Sequence, residues 1–575
     1  MNFFPSLRGY DRSWLRGDVI AGLTVWAVLV PEALAYATIA GVSPVVGLYA
    51  APPALVLYAV FGSSRHLVVG PMAATAALSA AAVAEVVTPG SPEFVTLTTA
   101  LAISVGVAAL VAGLLRLGFL ASFVSEPVLK GFIIGLALTI IAGQLPKLFG
   151  IEKGEGNFFE QLWHFLQNLD ETNGWTLLVG LIALAIVVGL KELLPVVPGS
   201  LVAVLVGILA VVLFNLDSRG VAIVGEIDSG LPSFGLPDVS LQDYGVLSAS
   251  ALGVMLVGFA EGLGAAKTYA TREHYEIDPN HELLGLGVAN VGAGLSGGMV
   301  VNGSLSKTAV NAGAGAKSQI SGLFVAVLTV ITLLFLTGLF EELPEATLAA
   351  VVIAALVELV DYRSLIRLYR TYTRRLGRIY GVAARPDFLA ALAAMIGVLV
   401  FDTLPGLFIG IFVALVLLLY RASRPHVAVL GKVPGSADQY ADVERHQENQ
   451  RTSGVTVLRI EGGLFFANAD TVRAVVRQHA GAEGTTAIVL DGETMPYVDV
   501  TAAKMLVELA DDLERDGIGL YVAREIGQVR DVLRSADDAR HLTHIFPTVE
   551  DAVQAALAAG NAATSESAKP SETSS

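Results

Sequence analysis

The alternation of apolar and polar stretches divides the chain near residue 424. Before that point, apolar runs of roughly 17–25 residues, long enough to cross the hydrocarbon of a bilayer as helices, succeed one another with short polar breaks. Seven occupy the first half, over about 18–40, 44–62, 66–87, 95–114, 120–145, 174–192 and 196–215. A second seven begin near 247 and continue over about 281–298, 300–315, 318–339, 344–360, 386–401 and 405–421. About fourteen spans are therefore predicted. Because seven is odd, two equivalent halves enter the membrane from opposite sides, which makes an all-α polytopic domain with a 7+7 inverted repeat. Beyond Arg424 the pattern becomes mixed and charged. Strand-like runs at 455–460 and 486–490 alternate with a helical pattern at 502–514, as in a small soluble α/β domain. The expected boundaries are an N-terminal segment at 1–17, the membrane domain at 18–424, a linker at 425–440 and the soluble domain at 441–560. The last stretch, 561–575, has no packable face and is expected to be disordered.

Charge placement orients the spans. Between Arg363 and Arg385 there are seven arginines and no acid, which the positive-inside rule assigns to the cytoplasm. Counting outward, Arg65, Arg116, Lys191, Lys267, Arg272 and Lys317 fall on that same side. The acidic loop at 152–171 and Glu341, Glu342 and Glu345 fall on the other. Both termini are then cytoplasmic, in a multi-pass protein of the inner (plasma) membrane.

Composition narrows the function. The chain is 54% hydrophobic and 15% charged, with a mean hydropathy of +0.66 and a net charge of −16, which argues against a nucleic-acid partner. Without cysteine there is no disulfide, thiolate metal site or thiol nucleophile. The nine histidines lie at span ends, in loops or in the tail, and none is paired at helical ligand spacing with an acid. A membrane-embedded enzyme thus has no evident nucleophile, metal set or cofactor.

Two breaks within the apolar pattern carry the chemistry. Gly70, Pro71, Met72, Ala73, Ala74 and Thr75 interrupt the third span; Asn302, Gly303, Ser304, Leu305, Ser306 and Lys307 interrupt the tenth. In inverted-repeat transporters, paired breaks of this kind mark half-helices whose N-termini face each other at midplane. Free amides and positive dipole ends there can hold an anion. Each half also supplies one intramembrane acid, Glu32 after Pro31 in the first span and Glu261 in the eighth. Such acids are costly and point to function by default. Structural roles stand beside these. Glu32 can bond carbonyls freed by Pro31, Glu261 can brace its glycine-rich surroundings, Gly70-Pro71 can be a kink, and Ser304 and Ser306 can pack helices. Lys307 adds a full charge to an anion site, snorkels to an interface or pairs with one of the acids.

These residues resemble the SulP family of anion permeases, whose members carry a cytoplasmic STAS domain. The likeness rests on Pro31 to Ala37 with Ala40 to Tyr49, then Gly62 to Arg65 and Gly70-Pro71. In the second half it rests on Asn280 to Leu283, Gly287 to Asn290 and Ser304 to Asn311. In the tail, Phe465 to Ala469, Asp491 to Glu493 and Asp499 to Thr501 look like STAS. The resemblance implies core and gate domains, a homodimer and transport of anions such as sulfate, bicarbonate, chloride or dicarboxylates, with the third- and tenth-span N-termini forming the anion site. Two departures stand out: Glu32 where many members have Gln, and Lys307 where Arg is common.

A carboxylate near an anion site couples the two, because a proton on Glu32 or Glu261 favours the anion and the anion favours the proton. The expected function is proton-coupled symport by alternating access. Glu32 is the first candidate proton carrier and Glu261 the second, or a sodium ligand. An uncoupled channel or exchanger, a sodium-coupled bicarbonate symporter and an anion sensor are the alternatives. In the tail, Thr501 invites comparison with phosphorylated serines of related regulators, while Asp499 before it fits a helix N-cap. The domain's expected roles are dimerisation or regulation.

Overall fold

The computed structural model describes residues 4–7, 9–88, 90–119, 124–194, 197–227, 229–357, 359–371, 385–401, 403–535 and 545–567, with side chains to 560. The chain separates into two compact units.

The first half of the membrane unit supplies α1 (Leu15–Ile39), α2 (Pro44–Phe61), β1 (Val68–Gly70), α3 (Ala73–Ala84), α4 (Pro92–Leu114), α5 (Glu126–Phe149), α6 (Phe158–Gln167), α7 (Gly174–Leu193) and α8 (Gly199–Phe214). The second supplies α9 (Leu241–Arg272), α10 (Pro279–Leu295), β2 (Asn302–Ser304), α11 (Leu305–Gly313), α12 (Ile320–Phe335), α13 (Glu345–Val357), α14 (Tyr362–Arg370), α15 (Pro386–Phe401) and α16 (Thr403–Ala422). With α6 and α14 set aside, fourteen hydrophobic elements remain, seven in each half, as the apolar runs predict. Among the described residues seven helices are long and apolar enough to cross a membrane, and α3, α8, α12 and α15 are shorter apolar helices.

Local chemistry fixes many of the ends. Ser240 and Asp243 form a reciprocal capping box at the start of α9, and Ser91 and Ser125 cap α4 and α5. Gly150, at φ +72°, closes α5 in the left-handed conformation that glycine adopts without a Cβ clash. Neither α6 nor α14 belongs to the span pattern, because both are short and amphipathic; α6 lies within the acidic stretch at 152–171, and α14 covers the start of the arginine-rich stretch that begins at Arg363.

Two bundles result. In one, α4 and α2 pack on α10, α1 and α2 on α12, and α9 on α3, α4 and α11. In the other, α5 and α7 pack on α13 and α7 on α8. Both halves of the chain contribute to each, which is how inverted repeats interlock.

The soluble unit is built on β3 (His426–Lys432), β4 (Tyr440–Asp442), β5 (Val455–Glu461), α17 (Ala469–Ala480), β6 (Ala487–Asp491), α18 (Val500–Arg515), β7 (Gly519–Ala523), α19 (Gly527–Ser535), β8 (Ile545–Phe546) and α20 (Val549–Ser567). Its sheet order is β4-β3-β5-β6-β7-β8, antiparallel at β3–β4 and β3–β5 and parallel thereafter. Leu458, Ile460, Ile488 and Leu490 face α17–α19, while Val455, Val457, Ala487 and Val489 face α20. Burial on both faces explains why β6 reads as an unbroken apolar run.

Two expected boundaries move. Residues 425–440, read as a linker, include β3, whose apolar run Val427–Leu430 pairs antiparallel with β5. The C-terminal helix runs past Gly560 to Ser567, consistent with its alanine-rich sequence; 568–575 lie outside the described residues.

Candidate functional site

The two breaks meet. Strand β1 pairs antiparallel with β2, with Val68 opposite Ser304, Val69 opposite Gly303 and Gly70 opposite Asn302. Antiparallel pairing is what two equivalent segments make when they arrive from opposite sides. Each strand leads directly into a half-helix: β1 through Pro71 and Met72 into α3, and β2 into α11. Pro71 has no N–H and disfavours helix in the residue before it, so Gly70 stays extended. Met72 caps α3 with no side-chain bond, which leaves the amides of Ala73, Ala74 and Thr75 without intrahelical partners. At α11 the Ser304 hydroxyl accepts from the Lys307 amide at 3.2 Å, and Ser304 and Ser306 hydroxyls lie 3.1 Å apart. Ser306 and Leu305 are exposed, so that end is open.

Close approach of α9 makes room for this arrangement only because glycines line it. A Cβ on Gly262 would lie 3.0 Å from the Asn302 side chain, and one on Gly303 2.8 Å from Leu67 and 3.0 Å from the Gly262 Cα.

Lys307 lies at the meeting point of the two breaks. Its Nζ is 2.9 Å from Glu32 Oε2 and donates to the Pro71 carbonyl at 3.0 Å. It also lies 5.0 Å from the centre of the Tyr36 ring. At 2% exposure it does not snorkel. The contact with Glu32 is an ion pair without hydrogen-bond alignment, since Oε2 lacks an aligned donor. The buried ammonium thus joins the acid of the first span, the break of the third and the half-helix of the tenth. Tyr36, one turn beyond Glu32, is a participant that the sequence pattern hides among apolar neighbours.

Glu261 sits beside Gly262 on α9, with a buried Oε2 that has no hydrogen-bond partner; Asn302 Nδ2, on β2, is likewise unsatisfied. Behind Asn302 lies a cavity of about 10 Å³ bordered by Thr75, Gly258 and Asn290. That is space for about one water, too little for an oxyanion. Among the described residues no cluster of three or more His, Asp or Glu could hold a metal ion.

Amide and hydroxyl side chains hold the strands. Asn290 donates to the Leu286 and Val301 carbonyls and accepts from the Val301 amide. On the other side Thr308 accepts from the Val68 amide, Asn311 donates to the His66 carbonyl, and Gln319 donates to the carbonyls of Ser64 and Leu67. Glu282, fully buried, accepts from the Tyr58 hydroxyl and from the amides of Ser63 and Ser64. These supports escape a search for substrate groups; their signal is polarity at positions the apolar pattern would bury.

In the soluble unit Asp499 caps α18, accepting from the Ala502 amide at 2.8 Å and from the Phe466 amide at 2.9 Å. This is the N-cap expected of it, and Thr501 is exposed on the first turn.

The sulfate permease family profile matches residues 15–379, and the STAS domain profile matches 446–552. A probable sulfate transporter of Mycobacterium tuberculosis is 38% identical over 554 residues, covering 95% of this chain and 96% of that one. The probable sulfate transporter 4.2 of Arabidopsis thaliana is 32% identical over 578 residues, covering 96% and 83%. Among solved structures, the inward-facing murine Solute Carrier 26 family member A9 anion transporter shares the fold with a TM-score of 0.85 at 23% identity, covering 96% and 93%. The transmembrane domain of a cyanobacterial bicarbonate transporter shares it with a TM-score of 0.59 at 22% identity, covering 70% and 98%.

Proposed function

The chain belongs to the sulfate permease family, and we propose that it moves sulfate together with a proton by alternating access, using the facing ends of α3 and α11 as its anion site. The observation that carries this reading is the buried Glu32–Lys307 pair between those ends. Gly70, Pro71, Met72, Ala73, Ala74 and Asn302 to Lys307 form the site; its attractions are half-helix amides, serine hydroxyls and one ammonium. The proteins it resembles are named as sulfate transporters.

Charge balance supplies the coupling. With Glu32 ionised, Lys307 is neutralised and an incoming oxyanion competes with a tethered carboxylate. A proton on Glu32 removes that competitor and turns the ammonium toward the anion. Proton and anion then each tighten the binding of the other, as linkage requires. A second reading follows from the unpartnered Oε2 of Glu261: it is the coupling group, for a proton or for sodium. The arginine excess over 363–385 supports cytoplasmic termini in the plasma membrane. We assign the STAS domain to homodimer contact or to regulation, with Thr501 as its exposed candidate site.

Uptake of labelled sulfate into proteoliposomes under an imposed proton or sodium gradient tests the assignment. Glu32→Gln is expected to retain sulfate exchange but to lose acid-driven accumulation by at least about tenfold, the scale of one coupling interaction. Full acid-stimulated uptake in that variant would move the coupling to Glu261, which Glu261→Gln then checks under both gradients.

A further inference from the structure

Helix α14 is no part of the anion site, and its surface has three distinct sectors. At 100° per residue, Ser364, Leu365 and Leu368 form one, and this face is covered: Ser364 is buried and the two leucines are half-buried, with the helix packed on α5. Tyr362, Ile366 and Tyr369 form the second, an apolar stripe that stays 58%, 44% and 49% exposed. Arg363, Arg367 and Arg370 form the third, all exposed and roughly 100° around the helix from the apolar stripe. No ion pair among the described residues engages these three guanidinium groups. The nearby acid, Asp361, accepts from the Ser364 amide at 3.0 Å and caps the helix.

A half-exposed apolar stripe beside a basic stripe that no ion pair among the described residues neutralises is wasteful in water. Exposed aromatic and aliphatic groups lose hydrophobic stabilisation there, and three like charges within two turns repel one another. Both arrangements become favourable where an apolar phase meets a layer of negative charge. A helix lying in the plane of a bilayer surface meets that condition, with its apolar side at the acyl boundary and its arginines among the headgroups. The flanking sequence agrees in sign, since no acid occurs from Arg363 to Arg385. Arginine suits phosphate because its planar fork donates two parallel hydrogen bonds.

We propose that α14 is an interfacial helix that binds the phosphate headgroups of anionic phospholipids through Arg363, Arg367 and Arg370, with Tyr362, Ile366 and Tyr369 seated at the acyl boundary. Because α14 packs on α5 and Tyr369 stacks edge-on against Phe388 of α15 at 5.2 Å, the lipid contact anchors the bundle containing α5 and α13 to the membrane plane.

Native mass spectrometry of the full-length protein, titrated with phosphatidylglycerol or phosphatidylcholine, tests this. The wild type is expected to bind phosphatidylglycerol in clear preference. The R363Q/R367Q/R370Q variant is expected to lose about fivefold of that preference per arginine, on the order of a hundredfold in all. R363K/R367K/R370K keeps most of it, and Ile366→Asn weakens both lipids alike. Arg219→Gln, which removes a cation stacked on Trp175 elsewhere in the unit, leaves the preference unchanged. Should the triple glutamine variant not purify as a single species, Arg367→Gln alone carries the test, with an expected loss of about fivefold. Undiminished preference in the glutamine variants, equal loss in Arg219→Gln, or displacement of the lipid by the same concentration of inorganic phosphate would each overturn the proposal, the last by identifying a soluble-anion site.

Discussion

Lys307 is held by three features of different origin: the carboxylate of Glu32, the carbonyl that Pro71 exposes and the face of Tyr36. Removing one member of a buried pair strands the other charge, which costs about 3–5 kcal/mol, whereas replacing both members by neutral groups is often near neutral. Lys307→Gln should therefore lower the midpoint of thermal unfolding in detergent at neutral pH. Glu32→Gln/Lys307→Gln should recover most of that loss without recovering sulfate uptake. Equal destabilisation in the single and double variants would show that the pair is not coupled. The sequence singles out Glu32 and Lys307 as candidates because each is an ionisable group inside an apolar span. It leaves the pairing open, because 275 positions separate them and no periodicity links residues of different repeats. Tyr36 is hidden for a simpler reason: a tyrosine in an apolar helix has no distinguishing signal until a cation is placed over its ring.

At the scale of elements, the breaks in the third and tenth spans are legible because Gly70-Pro71 and Asn302-Gly303 cannot continue a helix well. Their pairing into a two-stranded ladder is not, since three-residue strands have no pattern long enough to read. The ladder works because glycine lets α9 touch β2. In Gly303→Ala the new methyl would meet Leu67 at 2.8 Å and the Gly262 backbone at 3.0 Å, an overpacking that costs roughly 1–3 kcal/mol. Initial sulfate uptake is expected to fall at least about tenfold, because α11 and Lys307 follow the strand they extend. Leu67→Ala/Gly303→Ala should restore part of it by removing the side-chain clash, while the Gly262 contact remains. Uptake unchanged in Gly303→Ala would mean that the ladder does not position the site. Helices α6 and α14 show the complementary limit: a search for membrane-length apolar runs passes over amphipathic helices of ten and nine residues.

In the whole molecule, two units have separate cores, and the proposed proton coupling would give them opposite responses to acid. The membrane unit's core draws on α1–α5 and α8–α13, with α15 and α16, whereas the soluble unit's cores lie on the two faces of its own sheet. In the soluble unit Asp512 binds α17 to α18. Arg473 hydrogen-bonds to it at 2.6 Å and Arg515 lies 3.0 Å from its other oxygen; these partners hold its carboxyl below the ordinary range. A carboxyl whose folded form prefers to be ionised stabilises the domain above about pH 4 and ceases to do so as pH falls through its depressed value. Under the coupling proposed above, acid should promote uptake by the membrane unit while weakening the STAS unit. Calorimetry of the full chain between about pH 7 and pH 3 is expected to show two transitions, the STAS transition moving down as the solution is acidified. Asp512→Asn lowers that transition at neutral pH and flattens its response to acid, because the ionised partner of Arg473 is gone at every pH. Sulfate uptake at each pH should match the wild type. A matching change in uptake would show instead that the two units are energetically linked and that the STAS domain sets the transport rate.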